Sequence, residues 1–137
     1  MSGRSTRRLT RAASLGASCL LLAAVAQAAT PISVTASPKT VSRGHGVTFR
    51  GSGWGVIEFC KPHVTLSLRR SPPLSPLIIA NVSLRTAPKT SGTFGTSWTV
   101  PRTVHSGLRT ISATQHCESG KNGAAVLITR STTIRVR

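Results

Sequence analysis

The chain is 137 residues long and carries 18 Lys and Arg against 2 acidic residues, for a formal net charge of +16. It contains no Asp, which removes the Asp-oriented catalytic triad, and its 2 carboxylates, Glu58 and Glu118, leave little for acid–base chemistry. An aromatic content of 4%, without Tyr, also leaves no series of stacking positions for single-stranded nucleic acid.

Arg4, Arg7, Arg8 and Arg11 precede an apolar run over residues 12–26 and the tripeptide Ala26-Gln27-Ala28. A cationic start, a short apolar stretch and small residues at the cleavage positions predict an export signal over residues 1–28, with Ala29 as the new terminus. The apolar run, about 15 residues, is shorter than the roughly 20 needed to span a bilayer. Arg7-Arg8 after Thr6 is similar to the start of a twin-arginine signal. Thr10 and Arg11, however, stand where that class carries a large apolar residue and Leu, so the general secretory route is expected. Cys19 follows Gly16-Ala17-Ser18 without the Leu of a lipoprotein site, so no lipid anchor is expected. The working protein is then one domain of 109 residues, 29–137.

From residue 29 onward, Thr, Ser, Val and Ile dominate, Gly and Pro recur at short intervals, and no stretch holds a helical period. Strands are predicted over 32–36, 46–51, 63–70, 77–86, 93–100, 107–116 and 124–136. Alternation assigns faces: Val64, Leu66 and Leu68 share one parity against Thr65, Ser67 and Arg69. Val47 with Phe49, Phe94 with Trp98 and Val100, Ile111 with Ala113, and Ile134 with Val136 repeat the pattern as candidate core. Trp54, in Gly51-Ser52-Gly53-Trp54-Gly55, is expected to plug one end of the core. Seven short strands predict an all-β fold, a seven-stranded immunoglobulin-like Greek-key sandwich following the signal peptide.

Loss of Cys19 with the leader leaves Cys60 and Cys117 as an even pair in an oxidising compartment, where a disulfide is the economical reading. Cys60 precedes the third predicted strand and Cys117 ends the sixth, each on the inward parity of its strand. Those two strands are antiparallel neighbours in an immunoglobulin-type sandwich, so the pair meets at one edge of the core. Closing a loop of about 58 residues stabilises the fold by about 4 kcal/mol in the chain-entropy model.

His45, His63, His105 and His116 show no metal-ligand spacing, and a zinc site combining His63 and His116 with the cysteines requires reduced thiols. No metal or cofactor is expected. Glu58 and Glu118 flank the cysteines and read as solvated partners of Lys61 and Lys121. Asn81-Val82-Ser83 matches a glycosylation acceptor inside an apolar strand, which reads as coincidence, and the Pro-rich segment 71–76 reads as a stiff connection.

Without the leader, 14 basic residues face Glu58 and Glu118, a charge of about +12. Such a charge attracts polyanions: a cell-wall polymer such as teichoic acid, acidic lipid headgroups, or nucleic acid without sequence specificity. The candidate contacts are Arg69, Arg70, Arg85, Arg135 and Arg137, with Arg69, Arg70 and Arg85 as a candidate basic edge, which protection against strand-to-strand aggregation explains equally well. Ten of the 14 are Arg and they are dispersed along the chain, so base composition of the genome is the competing explanation.

Ile32-Ser33-Val34 with Ser37-Pro38, the stretch Gly51-Ser52-Gly53-Trp54, Gly92-Thr93-Phe94 leading to Val100-Pro101, and the segment 107–113 together resemble immunoglobulin-like domains of secreted actinobacterial and related bacterial proteins. The resemblance covers most of residues 30–137. It implies a spacer, a surface adhesion module or a carrier, and so a secreted or surface-located non-enzymatic binding or structural module. The alternative is a small-molecule carrier resembling the sandwich apoproteins that hold enediyne antibiotics, which typically have two disulfides and an acidic surface. An apolar cleft is the feature that would favour it.

Overall fold

A computed structural model of the protein describes residues 31–55, 59–85, 91–119 and 123–137. The expected export signal at 1–28, Glu58, Lys121 and the end of the strand expected at 77–86 lie outside the described residues. Among the described residues no helix is long and apolar enough to cross a membrane.

The described chain is all β. Its strands are β1 (Ser33–Ser37), β2 (Thr40–Val41), β3 (Gly46–Gly55), β4 (His63–Leu68), β5 (Leu77–Ser83), β6 (Ser91–Thr99), β7 (Gly107–Glu118) and β8 (Ala125–Val136). They form two sheets, one ordered β1-β3-β6 and the other β2-β8-β7-β4-β5. The addition to the expected set is β2, a two-residue strand that pairs in parallel with β8. Two residues show no alternation, so β2 exists by backbone pairing alone.

Alternation decides what each sheet buries. On β4, Val64, Leu66 and Leu68 are buried, while Thr65 and Ser67 turn to the outer surface. Phe49, Phe94, Val100, Ile111, Ile134 and Val136 bring both sheets onto one core, and Trp98 packs against it half-buried, its ring centroid 6.4 Å from that of Phe49.

Trp54 owes its position to an irregularity that alternation alone misses. Strand β3 shifts register against β6 between Gly51 and Trp54, and Gly53 adopts φ 76° within that bulge. An extra residue reverses the parity of the strand beyond it, so Trp54 points inward with Phe49 and Gly51 and is fully buried. Its indole Nε1–H donates to the Ser33 carbonyl at 3.1 Å. Gly51 is required on the same face, because a Cβ there would collide with the Phe94 ring.

Chain crossings hold the sheets together at their margins. Between β1 and β2 the chain passes from the first sheet to the second, and beyond β5 an isolated bridge between Arg85 and Thr93 returns it to the first. Cys60 and Cys117 are disulfide-bonded across 57 residues, joining the approach to β4 with the end of β7. The partners are neighbours within one sheet, as the predicted adjacency of those strands requires.

Candidate functional site

The antiparallel register of the second sheet places strand ends, and the arginines next to them, at one end of the molecule. Strand β4 finishes at Leu68 opposite Ile111, and the Arg69 amide then donates to the Thr110 carbonyl at 3.0 Å. Strand β7 starts beside the end of β8, with Leu108 opposite Arg135 and Arg109 opposite Ile134. The Arg137 amide donates to the Val41 carbonyl at 3.0 Å, and the Arg43 amide to the Arg137 carbonyl at 3.4 Å. The Gly44 amide donates to the Val100 carbonyl at 2.7 Å, which draws in the turn carrying Arg102. Arg43, Arg69, Arg70, Arg102, Arg109, Arg135 and Arg137 thus form one arginine-rich pole.

Its most organised part is a depression of about 240 Å³ lined by Arg69, Arg70, Ser71, Pro72, Leu108, Arg109 and Thr110. Arg109 is fixed by backbone carbonyls: Nε donates to His105 at 2.8 Å and Nη2 to Ser106 at 2.9 Å. Arg70 Nε donates to the Ser75 carbonyl at 2.6 Å, so the Pro-rich connection positions this side chain. A guanidinium has five N–H donors, so both groups keep donors for a ligand while part of their rotamer entropy is already lost before binding.

Nothing of opposite sign among the described acidic side chains competes at this pole. Glu118 is the sole Asp or Glu among the described residues, and it ends β7, nine residues beyond Arg109. At about 3.3 Å per residue that places it about 30 Å away, beyond the Debye length of roughly 8 Å at physiological ionic strength.

Arg85 is not part of the pole: Arg69 and Arg70 on one side and Arg85 on the other flank the two ends of β5, the margin strand of the second sheet. Strands β4 and β5 are an antiparallel hairpin, with Leu68 opposite Leu77 and His63 opposite Ser83. Arg69 and Arg70 sit at its turn and Arg85 beyond its open end, a strand length of about 23 Å away. Arg43, Arg102 and Arg109 join instead. The signal for them was positional: each flanks a turn or strand end that the topology brings to the same side.

At the opposite end, His63 and His116 lie near a sulfur pair that is already bonded, so no thiolate is free to join them on zinc. Asn81 is exposed on the outer face, its Oδ1 accepting from Thr65 Oγ1 at 2.7 Å. No group of three or more potential metal-ligating side chains comes together among the described residues.

No protein-family model matches the chain, and no curated protein matches it. Among solved structures it is similar to the neutral ceramidase of Pseudomonas aeruginosa, with 14% identity and a TM-score of 0.47 over 72% of this chain and 18% of that one. It is also similar to a ceramidase complexed with C2, with 15% identity and a TM-score of 0.45 over 72% of this chain and 17% of that one. The chain spans less than a fifth of the length of these structures.

Proposed function

We propose that the chain is an exported, non-catalytic immunoglobulin-like module that binds anionic polymers at or outside the cell surface through its arginine pole. The observation that carries this reading is the gathering of seven arginines, dispersed in sequence, at one end of the fold. Base composition explains how many arginines a protein has, but it gives no reason for their convergence or for the anchoring of Arg70 and Arg109 on carbonyls.

The finer fold assignment has its own support. With β1, β3 and β6 in one sheet and β8, β7 and β4 adjacent in the other, the order follows the A-B-E and G-F-C arrangement of an immunoglobulin Greek key, with the first strand divided between sheets. The Cys60–Cys117 bond supports an oxidising compartment, and with the residues at 1–28 it supports export. The carrier alternative is less favoured, because the depression at the pole is lined mainly by arginine and hydroxyl chemistry.

The deciding experiment compares the protein with a variant carrying Arg69→Gln, Arg70→Gln and Arg109→Gln, titrated against teichoic acid, heparin and duplex DNA. The reading requires comparable binding of all three polymers by the protein and a common loss in the variant. Unchanged binding in the variant overturns it.

A further inference from the structure

Gly95 stands in the middle of β6 with Arg50 directly opposite on β3. A glycine inside a strand weakens it, since glycine loses the most freedom on folding and packs nothing against its neighbours. The usual reasons for accepting that cost do not apply here. The residue is in regular register, its φ is not left-handed, and an added Cβ would meet nothing within 4 Å. Thr or Val, which strands favour, would fit.

Around Gly95 the first sheet carries an open notch of about 690 Å³, lined by Thr48, Arg50, Arg85, Thr93 and Ser97, with Phe94 contributing an apolar part. The two arginines are rooted on opposite sides of β6. Arg50 comes from β3, and Arg85 from the far margin, where its amide donates to the Thr93 carbonyl at 2.7 Å and its carbonyl accepts from the Thr93 amide at 3.1 Å. Thr48 and Ser97 hydroxyls, 3.1 Å apart, bond each other and keep one hydrogen between them for a further acceptor.

We propose that this notch is a second anion site, which takes one tetrahedral oxyanion, the phosphate group of a phosphate-bearing polymer. Two guanidinium forks supply paired charge-assisted donors from either side, and the hydroxyls supply donors from along the sheet. Such a convergence suits a group with three or more acceptor oxygens better than a flat carboxylate. Gly95 lets that group approach the backbone of β6, where a side chain would stand in the way. The site lies on the other sheet from Arg69, Arg70 and Arg109, so a polymer reaching both is held at two points, with the gain in avidity that tethering gives. It rests on the polyanion reading for its natural ligand, and its existence is tested without that reading.

The test titrates the purified protein with inorganic phosphate, with poly(glycerol phosphate) and with phosphatidylglycerol vesicles, following the backbone amide resonances of Thr93 and Gly95. Phosphate and the polymer should shift both resonances saturably. Arg50→Gln and Arg85→Gln should each weaken phosphate binding about tenfold or more, as expected for lost hydrogen bonds to a charged group, and Gly95→Val should weaken it by obstructing the approach to the backbone. Gly95→Val should not lower the unfolding midpoint, which separates a filled notch from a damaged fold; if it does, the two arginine variants decide. Arg109→Gln should weaken polymer binding and leave the phosphate-induced shift of Gly95 intact, so that failure of the notch and failure of the pole are told apart. Wild-type phosphate affinity in Arg50→Gln and Arg85→Gln, or shifts confined to the pole, would overturn the proposal. Shifts with vesicles but not with the polymer would overturn the assignment of the ligand to a polymer.

Discussion

Gln115 and Gly55 exchange two hydrogen bonds across the core: the Gly55 amide donates to Gln115 Oε1 at 3.2 Å, and Gln115 Nε2 donates to the Gly55 carbonyl at 2.6 Å. The same Nε2 also donates to the Lys61 carbonyl at 2.9 Å. Gln115 is completely buried, on the inward face of β7 between Ala113 and Cys117. A side-chain amide therefore does at the end of the β3 strand what a neighbouring strand would do. It satisfies backbone groups where the chain leaves one sheet for the other.

Replacement of Gln115 by Ala should therefore be severe. It strands the polar groups of Gly55 and Lys61 and leaves a cavity, together costing about 3 kcal/mol. Gln115→Leu fills the volume without restoring the bonds and should recover only part of that loss. Urea unfolding of both variants checks the order; equal stability of Gln115→Leu and the wild type would show that the bonds contribute nothing net.

The disulfide gives a second expectation. Cys60→Ala with Cys117→Ala should lower stability by about 2–5 kcal/mol, and thiol labelling of the unfolded, unreduced protein should find neither Cys60 nor Cys117 reactive. Two reactive thiols would remove the bond and would restore the reading in which His63 and His116 share a zinc ion with them.

Gly51 and Gly53 should respond to Ala for different reasons. At Gly51 the added methyl meets the Phe94 ring, which packs on Trp54 with centroids 6.0 Å apart, so the core must shift. Overpacking of this kind costs about 1–3 kcal/mol. At Gly53 the cost comes from φ 76°, about 1–2 kcal/mol for a residue with a Cβ. A compensating Phe94→Leu should rescue Gly51→Ala and leave Gly53→Ala unchanged, as calorimetric melting of the paired variants would show.

Much of the fold was legible because it obeys alternation. The seven expected strands lie within a few residues of β1 and β3–β8, and the Cys60–Cys117 pairing follows from the even pair left after Cys19, with parity and strand order agreeing. Strand β2 was not legible, since a two-residue segment has no period. The bulge at Gly51–Trp54 was hidden for a related reason: it changes parity through a backbone conformation, although three glycines in five residues marked where one was possible. The arginine pole was the least accessible feature. Arg43, Arg70, Arg102, Arg109 and Arg137 are far apart in the chain, and only the register of β4, β7 and β8 with the turns beside them shows that they share an end. Gln115 was accessible in principle, because its parity matches that of Ala113 and Cys117 and a polar residue there must find partners.

Export makes a prediction that is independent of the fold. If residues 1–28 are a cleaved signal, the intact mass of the protein recovered outside the cell should correspond to a chain beginning at Ala29. A retained leader in that material would remove the argument for the compartment, and with it the redox reason for expecting the disulfide.

The final prediction concerns salt. Binding to duplex DNA releases condensed counterions, so the logarithm of affinity should fall linearly with the logarithm of salt concentration, by about 0.9 for each phosphate neutralised. The pole has no base-reading motif and no aromatic platform, so the protein should bind DNA, heparin and teichoic acid with similar affinities and lose all three between about 0.1 and 1 M salt, as the Debye length shrinks from about 10 to 3 Å. Each of Arg69→Gln, Arg70→Gln and Arg109→Gln should flatten the DNA slope by about 1. Lys61→Gln, on the disulfide end of the molecule, should leave it unchanged, because Lys61 lies at the opposite end from Arg69, Arg70 and Arg109. Equal flattening by Lys61→Gln would show that total charge alone sets the attraction, and one polymer still bound at 1 M salt would show selective recognition in place of it.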